Sequence, residues 1–396
     1  MTRYLLLIMV CFLLSGCWDS IELNDIAIVT GIAIDPGEDK KYKLTVGYVN
    51  PRQFSRQNPE PGAPVTAMSL EGDSLPEISA RMNIGVSRRL IFSHTRVVYI
   101  NEKIAKEGVG VFLDDIERSP QFRNDFNILI TKDDEAAKFV EVNDNIEKVP
   151  SLKVQKQIKS LVENWGGDPR VRLSDFIVAI VSKGRAPVAS VAVIKGNPEK
   201  GKSTDSNNLI TPEANVMLDG LAVFNIDKLI GYLTLDDTRN YLWTQKLKHT
   251  MVAIPCDDNQ KENFDLYVSK SIANLNTDYS GNTPILRVNI YVESKLNSMQ
   301  CAKDLTKIET YDEIENEAEK QIKKMVEATI KKVQKEYGVD IFGFGEELYR
   351  QHYQKSKEIG DDWDKEFARA DVVVNTQVRV RRSGTRTKSF LTELAP

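Results

Sequence analysis

Hydrophobic and polar residues alternate in several short stretches of the first half of the chain, and each stretch predicts a β-strand. A turn signal at 35–39 separates the first two stretches and indicates a hairpin. Apolar residues at helical spacing, such as Leu75, Ile78 and Met82, predict helices between the strands. The predicted strands of this half are 25–35, 42–49, 95–100, 126–131 and 188–194. Because strands and helices intermingle, we expect a mixed sheet covered by helices.

The second half has longer elements and begins with a predicted hairpin at 218–233. Further alternation predicts strands at 264–268, 286–292 and 372–380. A long amphipathic helix is expected at about 310–337, because its apolar residues return to one face. These residues are Ile314, Ala318, Ile322, Met325, Ile330, Val333 and Tyr337. The order favours an antiparallel sheet with packed helices, so the predicted fold class is α+β (mixed α/β) and multidomain.

A polar stretch at 196–208 interrupts these patterns, because it contains no residue of the kind usually buried. The chain has 396 residues, and domains average about 150 residues, which favours two or three domains. We therefore divide the chain into four segments. These are a signal peptide at 1–16, an N-terminal α/β region at 17–195 with room for two subdomains, a linker at 196–214, and a C-terminal α+β domain at 215–396.

The N-terminus carries the features of an export signal. Arg3 supplies a positive charge, and the apolar run Tyr4 to Leu14 is too short for a bilayer core, which needs about 20 residues. Leu14-Ser15-Gly16-Cys17 resembles the bacterial lipobox, in which small residues precede the cut and the cysteine thiol accepts diacylglycerol. Cys17 is therefore the predicted lipidation site, on the extracytoplasmic face of a membrane. The alternative is a leader cut elsewhere, with Cys17 an ordinary thiol.

The other cysteines allow two interpretations. Cys11 lies in the apolar leader and should be lost with it. Cys256 and Cys301 would remain in an extracytoplasmic domain, where they either pair or stay as two thiols. No two cysteines have metal-ligand spacing, so no metal site is predicted.

The residues that most often carry catalysis form no recognisable group. The three histidines, His94, His249 and His352, are far apart and lack flanking ligand motifs. The sequence contains no Gly-x-Ser-x-Gly elbow, no P-loop and no dinucleotide-binding fingerprint. A net charge of −4, with acidic and basic residues interleaved, is not the basic footprint of a nucleic-acid binder. We expect neither an enzyme nor a cofactor.

Basic residues accumulate at the C-terminal end, at Arg379, Arg381, Arg382, Arg386 and Lys388. A solvated edge strand explains them, since charges on an edge discourage aggregation. Contact with lipid phosphates or an acidic partner is the alternative. We favour the solvated strand.

Three blocks of sequence resemble the Ger(x)C family, the lipoprotein C subunits of nutrient germinant receptors in endospore-forming bacteria. The first runs from Cys17-Trp18-Asp19 to Asp35, and the second comprises Gly220–Phe224 and Asp227–Leu233. The third runs from Trp363–Phe367 through the last strand to Gly384. The blocks keep their order and span nearly the whole chain.

The resemblance implies an assembly in the inner spore membrane beside two multi-pass subunits, called A and B. It implies mixed α/β extracytoplasmic domains, no cofactor, and no catalytic residue to transfer. Cys17, as the lipidated position, is the only functional residue that it carries over.

Two other functions stay open from the residues alone. A lipid-anchored solute-binding protein of a transporter would have two similar lobes around a cleft, and the two halves differ here. A lipid-anchored hydrolase would need a nucleophile or metal motif, which the sequence lacks. Neither explains the three family blocks.

Overall fold

A computed structural model of the protein describes residues 22, 25–54, 62–245, 247–256, 262–301 and 303–381. Its strands form two sheets, one of nine strands and one of four. The strands are β1 (Ile26–Pro36), β2 (Tyr42–Val49), β3 (Val65–Gly72), β4 (Arg89–Ile91), β5 (Val97–Asn101), β6 (Asn127–Thr131), β7 (Val188–Gly196), β8 (Ala214–Asn225), β9 (Lys228–Leu233), β10 (Thr250–Pro255), β11 (Asn263–Ser280), β12 (Thr283–Met299) and β13 (Asp371–Val380).

Helices connect these strands and cover the sheets. They are α1 (Leu75–Arg81), α2 (Glu102–Glu107), α3 (Gly110–Arg118), α4 (Ala136–Glu141), α5 (Pro150–Asn164), α6 (Leu173–Val181), α7 (Pro198–Gly201), α8 (Leu235–Leu242), α9 (Ile308–Glu336), α10 (Phe344–Gln351), α11 (Tyr353–Ile359) and α12 (Trp363–Arg369). Short 3-10 turns include Pro51–Phe54, which follows β2, and Thr204–Asn208.

The first sheet is mixed, as the sequence predicts. Its strand order is β3-β2-β1-β5-β6-β7-β8-β9, and β4 also pairs with β1. Strands β1, β5, β6 and β7 are parallel, whereas β2, β3, β8 and β9 join through antiparallel pairings. The parallel strands at the centre are buried on both faces, which is typical of sheets with helical crossovers.

Close packing of helices on one face depends on a glycine. A β-carbon added at Gly47 of β2 would lie 2.4 Å from Cγ1 of Val140 in α4. On the opposite face, Ile32, Ile34 and Ile100 pack with helices α1 to α3 in a larger apolar core that continues into the second sheet. The nine-stranded sheet is therefore the central layer of the part of the chain that ends before β10, which we call the first region. The four-stranded sheet and its helices form the second region.

The second sheet differs from the prediction at its last strand. Strands β10, β11 and β12 are antiparallel, but β13 runs parallel to β12, with Ile285 opposite Asp371. The expectation of a wholly antiparallel sheet was wrong there. The chain passes through helices α9 to α12 before it returns, and such a helical crossover brings a strand back in the same direction.

The hairpin at 218–233 also lies elsewhere than expected. Strands β8 and β9 extend the first sheet, because Gly196 at the end of β7 pairs with Ala214 at the start of β8. The predicted linker at 196–214 thus connects two neighbouring strands of one sheet and holds α7 and a 3-10 turn. The chain changes sheets between Leu233 and Thr250. The division into domains at 196–214 stays a prediction.

The long helix α9 packs on the second sheet through the predicted apolar face. Its buried residues are Thr310, Ile314, Ala318, Ile322, Val326, Thr329, Ile330 and Val333. Met325 and Tyr337 are only half-buried. A disulfide between Cys256 and Cys301, with Cα atoms 6.3 Å apart, joins the ends of β10 and β12. It decides between the two states that the sequence leaves open.

Candidate functional site

The predicted lipidation site, Cys17, lies outside the described residues. The ordered sheet begins with β1 at Ile26, nine residue steps after Cys17. An extended chain spans about 3.3–3.6 Å per residue, so this segment can reach at most about 30 Å. The start of β1 therefore lies within about 30 Å of Cys17.

The three histidines lie apart in three exposed positions. His94 lies in the turn before β5, and His352 follows the end of α10. The His249 ring nitrogen Nδ1 is 2.8 Å from the Tyr267 hydroxyl. Within the described ranges, no group of three or more His, Cys, Asp or Glu side chains could hold a metal ion.

The buried carboxylate of Asp340 organises the loop after α9. It accepts hydrogen bonds from the backbone N–H groups of Phe342, Gly343 and Gly345 at 2.9 Å. The Trp363 indole N–H donates a further bond at 3.0 Å. Burial raises the pKa of Asp340 to about 6, although these bonds oppose the rise. The acceptor sites of this carboxylate are occupied, so its role is to hold α10 and α12 together.

Two other buried acids hold backbone in the first region. Asp35, at the end of β1, accepts hydrogen bonds from Ala136 N at 2.7 Å and Ala137 N at 2.9 Å, at the start of α4. Burial raises its pKa. Asp168 accepts a bond from Arg170 N at 2.6 Å, and burial raises the Asp168 pKa to about 6. The sequence interpretation missed these roles; the glycines that follow Asp340 were the available signal.

The described arginines of the basic C-terminal end form ion pairs with glutamates of the same chain. Arg379 Nη1 is 2.7 Å from Glu315 Oε2, and Arg381 Nη2 is 3.2 Å from Glu293 Oε1. This agrees with a solvated, charged strand. Arg382, Arg386 and Lys388 lie outside the described residues.

Helix α9 also covers the free edge of β13. The Glu319 carboxylate accepts a hydrogen bond from Val378 N at 2.9 Å, and Glu315 accepts one from Val380 N at 2.8 Å. An edge strand with unpaired N–H groups would be a template for another strand. The glutamates occupy two of these donors, so this edge is not an open pairing site for a partner.

The solvent-facing side of α9 is divided by charge. Acidic residues lie at its start and lysines along its later turns, which complements the helix dipole. The exposed charged residues are Glu309, Asp312, Glu313, Lys320, Lys323, Lys324, Lys331, Lys335 and Glu336, so the last residue of the helix is an exception to this division.

A cavity of about 230 Å³ lies between α1, α3 and the first sheet. Apolar core residues such as Leu44, Leu75 and Phe92 form most of its wall, and Arg89 and Asp115 also line it. Solute-binding proteins hold ligands between two similar lobes, whereas this cavity lies within one region. It does not favour the transporter alternative.

The chain matches two family models in sequence. Residues 19–194 match the spore germination protein N-terminal domain, and residues 219–384 match the spore germination B3/GerAC-like C-terminal domain. Spore germination protein KC of Bacillus subtilis (strain 168) is 30% identical over 389 residues, which cover 96% of this chain and 95% of the relative. The chain belongs to the Ger(x)C family of spore germination proteins.

Other family members agree with this assignment. Spore germination protein B3 of Bacillus subtilis (strain 168) is 23% identical over 94% of this chain and 95% of the relative. The crystal structure of the GerBC protein covers 89% of this chain and 97% of its own, with 17% identity and a TM-score of 0.53. It shows the same overall fold. In the described residues of the present chain, no helix is long and apolar enough to cross a bilayer.

Proposed function

We propose that this protein is the lipid-anchored, non-enzymatic C subunit of a spore nutrient germinant receptor. It is held by Cys17 on the outer face of the spore inner membrane and assembles there with A-type and B-type multi-pass subunits. The observation that carries this proposal is the continuous similarity to spore germination proteins along 96% of the chain. The lipobox at Leu14–Cys17 precedes the similar body directly.

The disulfide supports the extracytoplasmic location. Disulfides persist in oxidising compartments and are rare in the reducing cytosol. The Cys256–Cys301 bond joins two segments that are 45 residues apart. A protein exported by its leader and retained outside the cytoplasmic membrane meets this condition.

The surroundings of the acidic and imidazole groups support a role without chemistry. The Asp35 and Asp340 carboxylates accept hydrogen bonds from backbone and side-chain N–H groups. The histidines are exposed and scattered over different elements. Coupling of partners instead requires a stable surface held near the membrane, because confinement raises the effective concentration of that surface.

The anchor is tested by Cys17→Ala in the full chain expressed in a spore former. We expect loss of acyl labelling and loss of partition into a detergent phase, because the thiol that accepts diacylglycerol is absent. Cys11→Ala is the matched control, since it removes a thiol from the leader and should leave labelling unchanged. Persistent acyl labelling of the Cys17→Ala chain would refute the anchor.

The receptor role is tested by deleting the gene and measuring germination over a panel of nutrients. We expect the response to at least one nutrient to be lost, while germination by a non-nutrient trigger is retained. Affinity purification of the tagged protein from membranes should recover the A-type and B-type subunits, and Cys17→Ala should reduce that recovery. Normal germination by the deletion strain with every nutrient would argue against the proposal.

A further inference from the structure

Two loops of the first region expose apolar side chains next to each other. Ile146, between α4 and α5, is 93% exposed, and Ile210, before β8, is 103% exposed. Leu209 is 44% exposed. The loops are joined directly, because the Asn145 side-chain amide donates a hydrogen bond of 3.0 Å to the Leu209 carbonyl. The isoleucines therefore belong to one continuous surface.

A third segment extends this surface. Phe54, in the 3-10 turn after β2, is 45% exposed. The Lys148 ammonium lies 5.8 Å from the centre of the Phe54 ring and 3.3 Å from the Gln53 carbonyl oxygen. Lys148 thus connects the turn with the loop that carries Ile146. We call Phe54, Ile146, Leu209 and Ile210 the apolar patch.

The loop under the patch is held in place by its own acids. The Asp144 carboxylate accepts hydrogen bonds from Ile146 N at 3.0 Å and Glu147 N at 2.8 Å. Glu147 forms an ion pair with Lys156 of α5. Asp144 and Glu147 are therefore both engaged within the chain. The exposed Lys148 adds a positive charge beside the apolar side chains.

Phe54, one member of the patch, lies toward the end of the sheet where the lipid tether begins. β1 and β2 are antiparallel, and Val29 near the start of β1 faces Tyr48 near the end of β2. The chain that continues past Val49 to Phe54 therefore extends beyond the same end of the sheet as Ile26. At most about 30 Å of extended chain separates Ile26 from Cys17.

We propose that the apolar patch inserts into the lipid headgroup layer as a second membrane contact. The inference rests on the proposed anchor at Cys17, which supplies the nearby bilayer. Exposed apolar residues that form a contiguous group mark interaction sites. A single exposed Phe or Ile beside lysine suits the boundary of headgroups and acyl chains, where the apolar part is buried and the ammonium meets lipid phosphate. Two contacts fix the orientation of the body, which one flexible tether does not.

The test places a tryptophan in the patch of the full lipidated chain. Ile146→Trp and Ile210→Trp are made separately and reconstituted in phosphatidylethanolamine/phosphatidylglycerol vesicles with brominated acyl chains. The unsubstituted chain gives the background of the native tryptophans. Ile308→Trp is the matched control, because Ile308 is 76% exposed. It lies at the opposite end of α9 from Tyr337, whose hydroxyl contacts the Tyr232 carbonyl of the first sheet at 2.7 Å.

We expect the added tryptophan at either patch position to be quenched at least threefold more strongly than the one at Ile308→Trp. Partition of the same chains into a detergent phase reports the anchor independently. Partition without extra quenching would overturn the patch proposal and leave the anchor intact. Extra quenching without partition would support the patch and refute the anchor. If neither extra quenching nor detergent partition is seen, the patch proposal and the anchor proposal are both wrong.

A final variant separates lipid from a protein partner. Ile146→Asp and Ile210→Asp are combined in a chain that also carries Cys17→Ala, because an intact diacylglycerol anchor would by itself retain the chain on vesicles. The two changes should lower vesicle binding of that chain by at least threefold. Binding equal to that of the Cys17→Ala chain, with reduced recovery of the A-type or B-type subunit by the lipidated double variant, would assign the patch to a protein contact and overturn the lipid assignment.

Discussion

The nine-stranded sheet and the four-stranded sheet differ in how helices and side chains cover them. The first is covered by helices on both faces, but its loops expose Ile146 and Ile210. The second carries its helices against one long hairpin, and α9 places Glu315 and Glu319 on the edge of β13. A disulfide holds the far end of this hairpin to β10. The first region thus exposes apolar side chains on loops that adjoin each other, whereas the second region satisfies backbone N–H groups on the edge of its own last strand.

This difference teaches how stability and contact are distributed. The first sheet derives its stability from burial of central parallel strands, so its outer loops are free to carry other functions. The second sheet also has an apolar core under α9, and it adds a disulfide and two glutamate bonds to the edge of β13. We therefore expect single changes at those links to affect the second region strongly and the first region little.

The largest expected effect comes from removing the disulfide with Cys256→Ser and Cys301→Ser. A cross-link between positions 45 residues apart restricts the unfolded chain, which corresponds to about 4 kcal/mol in the chain-entropy model. Hydrogen exchange should show faster exchange in β11 and β12, with β5 and β6 unchanged. Reductant should reproduce the effect in the native chain and do nothing to the variant. Equal loosening of both sheets would show that the effect of the cross-link is not confined to the second sheet.

Asp340→Asn should destabilise the second region by about 2 kcal/mol at neutral pH. The amide places an N–H₂ group among donors that the carboxylate now satisfies, and an unsatisfied buried donor costs about 1–3 kcal/mol. Denaturant unfolding followed by Trp363 fluorescence measures the loss. Asp361→Asn, an exposed change on the same segment, is the control and should have little effect.

The pH dependence sharpens the Asp340 prediction. Burial raises the Asp340 pKa to about 6 from an ordinary 3.8, so the folded state binds this proton more readily than the unfolded state. The contribution of this group to stability therefore rises as pH falls from about 6 toward 4. The stability difference between the native chain and Asp340→Asn should widen over that range, by about 1.4 kcal/mol per unit of pKa difference. A difference that narrows on acidification would refute this assignment.

A smaller effect is expected from the glutamates that cover β13. Glu315→Ala or Glu319→Ala should cost about 1 kcal/mol, because each removes the acceptor of a backbone N–H. Lys324→Ala, an exposed change on the same helix, should stay within about 0.5 kcal/mol. The combined glutamate variant should also self-associate in sedimentation experiments, since it opens a strand edge. A combined variant that stays monomeric with unchanged stability would show that the two glutamates do not protect the edge of β13.

Periodicity predicted the elements better than their partners. The alternation of β11, β12 and β13 and the apolar face of α9 are local patterns, and the structure contains all four elements. The pairing of Gly196 with Ala214 and the parallel direction of β13 depend on contacts between distant residues. No spacing in the sequence encodes them. The family models divide the chain between 194 and 219, near the predicted linker, although the sheet continues through that point.

The site was predictable only where a motif is local. Cys17 follows from four adjacent residues and remains a prediction, because it lies outside the described residues. The role of Asp35 depends on the start of α4, about 100 residues later, and the apolar patch depends on three segments that meet only in the fold. Such groupings carry no sequence period.

The smallest effects are expected at the histidines, two in the first region and one in the second. His94, His249 and His352 are exposed, and the His249 ring contacts both the hydroxyl and the ring of Tyr267. His94→Ala, His249→Ala and His352→Ala should each change stability by about 0.5 kcal/mol or less, as is usual for surface substitutions. Spores that carry each variant should germinate normally when protein levels match. Loss of the nutrient response by one folded, abundant variant would mean that its imidazole takes part in chemistry or in partner contact, and the non-enzymatic proposal would then have to be tested again at that residue.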